Sequence, residues 1–171
     1  EVCPNRANYT FGMEPVRWTL PVLAPCDCGL SVASAEDFVI VQNRQILHVD
    51  DFCNECDDCQ TFCVHQGKPY WDKPRLFLNE TVFGEEQDNA FYIDGDTIRR
   101  REGGRECSLT LHNGTLVYED ALVRVRLTRD WQIQEMAAKE AFEGNFSLRP
   151  AADMAVLYNG IRESLPFPLV K

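Results

Sequence analysis

Four cysteines within eleven residues constrain this chain more than any other feature. The motif Cys53-Asn-Glu-Cys56-Asp-Asp-Cys59-Gln-Thr-Phe-Cys63 has the spacing C-x2-C-x2-C-x3-C. Three thiolates spaced in this way can wrap a loop around one cubane, each binding a different iron, while the fourth cysteine opens a helix and serves another cluster. Cys53, Cys56 and Cys59 then need one more ligand from a distant part of the chain. Cys3-Pro4 has the form for it, because Pro suits a first helical turn. The sequence therefore offers one [4Fe-4S] site from Cys3, Cys53, Cys56 and Cys59, and leaves Cys63 to a second cluster. The partners of Cys63 would fall just upstream of Glu1, so the expectation is a carboxy-terminal piece of a longer chain.

Composition narrows the alternatives. Seventeen Lys and Arg against 27 Asp and Glu give a net charge of −10, which argues against nucleic acid or an anionic membrane as partner. Apolar runs such as Phe38–Val41 fall far short of the ~20 residues of a bilayer span. No basic start followed by an apolar stretch marks a signal peptide, so a cytoplasmic location is expected. The eight cysteines make up under 5% of the chain, below the density of a small disulfide scaffold. A zinc site of four thiolates drawn from Cys26, Cys28 and the motif is the first competing reading. A disulfide-stapled interaction module is the second, and the four Asn-x-Ser/Thr sequons at Asn8, Asn79, Asn113 and Asn145 would suit its secreted form. Zinc sites generally use two separated pairs, whereas this motif has a third cysteine at the same spacing, which favours the cubane. Cys26-Asp27-Cys28 is a poor substitute, since C-x-C places two thiolates on one cubane less easily than C-x2-C. His48, His65 and His112 read as structural or exposed, and Cys107 as a buried apolar thiol. Asp50, Asp51, Glu55, Asp57 and Asp58 read first as a solvated loop. No nucleophile–base arrangement stands out, and Gly103-Gly104 lacks the context of a phosphate loop.

The pattern along the chain predicts two lobes. Over residues 1–75 Phe38–Val41 and Gln45–Val49 read as a hairpin, while Pro15, Pro21 and Pro25 argue for irregular loop before it. Over residues 76–171 short strands are expected at Leu76–Leu78, Ala90–Ile93, Ser108–His112, Thr115–Tyr118 and Leu122–Leu127. Asn113-Gly114 is the strongest hairpin signal, and Leu122–Leu127 alternates apolar with Arg. The period then becomes helical over Trp131–Phe142 and again from Ala151 to about Ser164, behind Pro150.

The segments Cys3–Asn8, Gln45–Asp50, Phe52–Cys56, Gln60–Cys63, Gly67–Tyr70 and Asp72-Lys73 together resemble the carboxy-terminal ferredoxin region of selenate reductase YgfK-type subunits. These are large bacterial iron–sulfur flavoproteins, similar in layout to the small subunit of glutamate synthase and to dihydropyrimidine dehydrogenase. The resemblance covers roughly residues 1–80 well and the rest loosely. It implies two [4Fe-4S] clusters relaying electrons to or from an upstream flavin domain, with FAD and NAD(P)H bound upstream. It also implies that Cys3, Cys53, Cys56 and Cys59 hold one cluster, that Cys63 belongs to the other, and that the partners are redox domains or proteins. Val64 stands where such motifs have Pro, and the stretch between Asn8 and His48 is longer than the pattern leads one to expect. The expected fold class is α+β: a ferredoxin-like iron–sulfur lobe, then a small antiparallel sheet and two carboxy-terminal helices.

Overall fold

The computed structural model describes residues 3–62 and 67–164, and among these strands dominate. The strands are β1 (Asn8–Gly12), β2 (Val16–Cys26), β3 (Gly29–Ile40), β4 (Arg44–Val49), β5 (Arg75–Phe77) and β6 (Ala90–Asp94). They continue with β7 (Thr97–Glu102), β8 (Arg105–His112), β9 (Thr115–Glu119), β10 (Val123–Thr128), β11 (Ile133–Ala138) and β12 (Phe146–Ser147). Nine form one mixed sheet in the order β1-β4-β5-β6-β7-β8-β9-β10-β11, and a second sheet runs β12-β2-β3. Three short helices, α1 (Asp58–Phe62), α2 (Pro69–Asp72) and α3 (Glu80–Glu85), lie in connections, and α4 (Arg149–Ser164) is the one long helix among the described residues.

This overturns the expected ferredoxin-like lobe with a small sheet and two helices behind it. The first third of the chain is built of strands, and β1 and β4 belong to the same sheet as β6 to β11. Phe38–Val41 and Gln45–Val49 do not form a hairpin. They fall largely in β3 and β4, which belong to different sheets, and the link between them is a crossing. The prolines of β2 do not break it either. Its outer edge is covered by β12 only at Val22 and Leu23, and such an edge strand is where a sheet tolerates Pro.

The expected helix over 131–142 is also corrected, because most of it is β11 paired antiparallel with β10. Trp131 takes a φ of 62°, its N–H donates to the Thr128 carbonyl at 3.0 Å, and the Thr128 N–H donates to Gln132 at 2.9 Å. That turn folds the chain back onto β10, where Arg126 and Glu135 face each other and pair at 3.5 Å. Without β11 the ladder of β10 would end in unpaired backbone groups. Pairing therefore outweighs a helical period of modest strength.

Local signals held elsewhere. Asn113 and Gly114 both have positive φ, 49° and 82°, and join β8 to β9 in a tight hairpin. In β10 Val123, Val125 and Leu127 are buried and Arg124 and Arg126 exposed, the alternation the sequence shows. The second expected helix is α4, started by Pro150 in its first turn, with the Ser147 hydroxyl accepting the Arg149 N–H at 3.0 Å.

Two apolar clusters fill the interior. The larger joins both sheets to α4 through Phe11, Leu20, Leu47, Leu76, Leu109 and Tyr158 among others. The smaller, Phe77, Phe83, Ala90 and Tyr92, lies where α3 covers β5 and β6. Strand β5 is buried along its whole length, as expected of a strand paired in parallel on both sides. Parallel pairing of β4 with β5 demands a long crossover, and the cysteine motif is that crossover.

Candidate metal centre

The strand β4 ends at Val49, and the chain enters a single 3-10 turn over Asp50–Phe52. The Cys53 N–H donates to the Asp50 carbonyl at 2.8 Å, which fixes the first motif cysteine close to the sheet. Two aspartates tie this entrance to β5. Asp50 accepts Arg75 Nε at 2.9 Å and a second guanidinium nitrogen at 2.8 Å, and Asp51 accepts the Leu78 N–H at 2.8 Å. Arg75 is itself buried; it also pairs with Glu86 at 3.0 Å and lies over the rings of Trp71 and Phe77.

Beyond Cys53 the loop turns sharply, with Glu55 and Asp57 both at positive φ, 50° and 61°. The Asp57 carbonyl accepts the N–H groups of Gln60 and Thr61 at 3.0 Å, so α1 starts at Asp58 and Cys59 is buried on it. Asp57 is held from outside by the Tyr70 hydroxyl at 2.5 Å and by Lys68 at 3.7 Å. Asp50, Asp51 and Asp57 are thus fastenings of the loop, which a reading of the acidic run as merely solvated misses.

Cys3 arrives from the other end of the chain. It opens a turn, not the expected helix, in which the Arg6 N–H donates to the Cys3 carbonyl at 3.1 Å. Buried Ala7 follows, and its carbonyl accepts the Val49 N–H at 2.7 Å, extending the ladder that pairs Asn8 with His48. That register sets the Cys3 turn beside the segment that leads into Cys53. The intervening β2–β3 hairpin accounts for the length of the stretch between Asn8 and His48, and it leaves into the other sheet.

The thiols of Cys3, Cys53 and Cys59 consequently lie within reach of one another's charge, and Cys56 within reach of Cys59. Burial pushes the Cys53 thiol up, and charges on Asp50, Cys3 and Cys59 push the same way, against a hydrogen bond from the Glu55 N–H. Burial likewise raises Cys59, followed by the charge of Cys3, while the N–H groups of Cys59 itself and of Tyr70 pull it down. Cys56, exposed, adds its own charge to Cys59. Cys3 accepts the Ala7 N–H and Cys53 the Glu55 N–H, each at 3.3 Å. Among the described residues no three or more His, Cys, Asp or Glu side chains gather tightly enough to hold a single metal ion. A cubane asks for something else, because its four thiolates bind four different irons. In kind, the donor set fits: four free cysteines, with amide donors on the sulfurs of Cys3, Cys53 and Cys59.

Other expected residues fall elsewhere. Cys63 and His65 lie outside the described residues. Cys26 and Cys28 are joined to each other at the tip of the β2–β3 hairpin, so neither is a ligand here. Cys107 is half-buried on β8, and burial pushes its thiol up to about 11. His48 is buried, with Nδ1 bonded to Asn8 Oδ1 at 2.9 Å, and His112 is exposed and paired with Asp96 at 2.8 Å. Sequence reasoning missed Arg75 as the anchor of the loop. Its only signal is a charged residue opening a short apolar run.

No family model matches the chain, and no solved structure matches it. It is 31% identical over 102 residues to a protein of Escherichia coli (strain K12) named "Putative oxidoreductase YgfK". The protein of that name in Escherichia coli O157:H7 matches equally. The match covers 59% of this chain and 8% of either relative, so the chain spans a small part of their length.

Proposed function

We propose that the chain passes electrons through a [4Fe-4S] cluster held by Cys3, Cys53, Cys56 and Cys59, as one part of a larger flavin-dependent oxidoreductase. One observation supports this reading: the β1–β4 register sets the Cys3 turn beside the segment that leads into Cys53, and Cys3, Cys53 and Cys59 feel one another's charge, with Cys56 coupled to Cys59. When bound, such a cluster accepts and donates single electrons. The chain's own part is to hold the thiolates and to set their surroundings. Amide donors at Ala7, Glu55 and Tyr70 stabilise negative charge on the sulfurs, which favours the reduced state, whereas Asp50 beside Cys53 opposes it. The Arg75 pair with Asp50 keeps that carboxylate turned toward β5. Cys63 would serve a second cluster with partners supplied by the rest of the enzyme, where FAD and NAD(P)H would also bind.

The test is the iron, acid-labile sulfide and zinc content of anaerobically reconstituted protein. About four iron and four sulfide per chain is the expected result, with loss of the cubane in Cys59→Ser and retention in a Cys26→Ser, Cys28→Ser double variant. One zinc without sulfide, or iron that ignores Cys59, would overturn the reading.

A further inference from the structure

Cys26 and Cys28 are bonded to one another, whereas Cys3, Cys53, Cys56, Cys59 and Cys107 are free thiols. The pair sits at the tip of the β2–β3 hairpin, where Cys26 faces Gly29 across the last rung. Cys28 and Asp27 are exposed and Cys26 is half-buried. A structural disulfide acts by restricting the unfolded chain, and its effect grows with the loop that it closes. This one spans a single residue, close to the smallest loop a disulfide can close, at a place where the turn already brings the two cysteines together. The hairpin is held from below by buried Leu20, Leu23 and Leu30 and by Trp18 stacked on Phe38 at 5.5 Å. The bond therefore has little to stabilise and is open to attack, and exposed disulfides are the labile, regulatory or catalytic ones.

We infer that Cys26-Asp27-Cys28 is a reversible two-electron site that exchanges its disulfide with an external dithiol. The incoming thiolate attacks the exposed Cys28 sulfur, forming a mixed disulfide and releasing Cys26 as thiolate. The second thiol of the reductant then attacks its own sulfur in that mixed disulfide and releases Cys28. The Cys26–Cys28 bond is broken, the reductant leaves as a disulfide, and its two protons end on Cys26 and Cys28. The site stands apart from the cluster reading, since it lies in the three-stranded sheet and uses none of the four proposed ligands.

The experiment is thiol labelling of the folded full chain followed by mass analysis of the tryptic segment 18–44, which contains Cys26 and Cys28 and no other cysteine. Two labels are expected after mild dithiothreitol and none after oxidised glutathione, through repeated cycles and with the melting temperature unchanged. Cys26→Ser should accumulate a glutathione adduct on Cys28 faster than Cys28→Ser does on Cys26. Resistance to dithiothreitol until denaturant is added, unfolding on reduction, or two labels that survive oxidised glutathione would each overturn the inference.

Discussion

Replacing Arg75 with Met should loosen the cysteine loop and destabilise the whole sheet. The Arg75 side chain is 5% exposed, and its partners Asp50 and Glu86 are 27% and 25% exposed. Removing one partner of a buried ion pair leaves the others uncompensated, at a cost of about 3–5 kcal/mol in full burial. Here two carboxylates are stranded, but each keeps some access to water, which places Arg75→Met near the lower end, about 3 kcal/mol. For a chain of this size that is a fall in melting temperature of roughly 6–12 °C. Arg75→Lys keeps the charge but loses the paired contact of two guanidinium nitrogens with Asp50, so it should sit between Met and the parent chain. Calorimetry or urea unfolding reads the stability, and iron retained after reconstitution reads the loop. The Cys53 N–H is anchored on Asp50, so iron should fall with Arg75→Met even at temperatures where the protein stays folded. Stability within about 1 kcal/mol of the parent chain would refute the argument that this ion pair fastens the loop.

Three further outcomes are expected. A Cβ at Gly160 would stand 2.2 Å from the buried Phe11 ring, so Gly160→Ala should cost about 1–3 kcal/mol of overpacking despite its better helix propensity. Thermal unfolding checks it, and adding Phe11→Leu should recover part of the loss. Burial holds His48 below its ordinary value, with Arg75 helping and Asp50 opposing, and no partner among the described residues reaches its Nε2. A depressed histidine contributes stability that is complete above about pH 6.5 and is lost as pH falls toward the folded value. Unfolding free energy should therefore drop between pH 7 and 5, and His48→Gln should flatten that slope. Asn79 caps α3 by accepting the N–H groups of Thr81 and Val82 at 2.9 and 3.3 Å. Asn79→Ala should cost about 1 kcal/mol in urea unfolding, because α3 carries Phe83 into the smaller cluster.

Much of the sheet was legible where the information is local. The Arg-alternating run of β10, the Asn113-Gly114 turn and the Pro150 start of α4 each depend on a few adjacent residues. The misreadings came where distant segments decide. Residues 131–142 carry a helical period, yet buried Trp131 packs against Trp18 at 5.2 Å and β10 needs a partner. Pro21 and Pro25 read as breakers until the bare edge of β2 is seen. A window of sequence contains neither fact.

The same division holds at the candidate centre. By itself the sequence determined that three thiols recur at one spacing, that a fourth stands alone at Cys3, and that acidic residues crowd the motif, because these are properties of neighbours along the chain. Only the tertiary structure decided that the Cys3 turn lies beside the segment leading into Cys53, within reach of the charges of Cys53 and Cys59, through the pairing of Asn8 with His48. It also decided that Cys26 and Cys28 bond to each other on another sheet, and that Arg75 anchors the loop. Strand register is set by which faces are buried against the rest of the molecule, and that is a property of the assembled core.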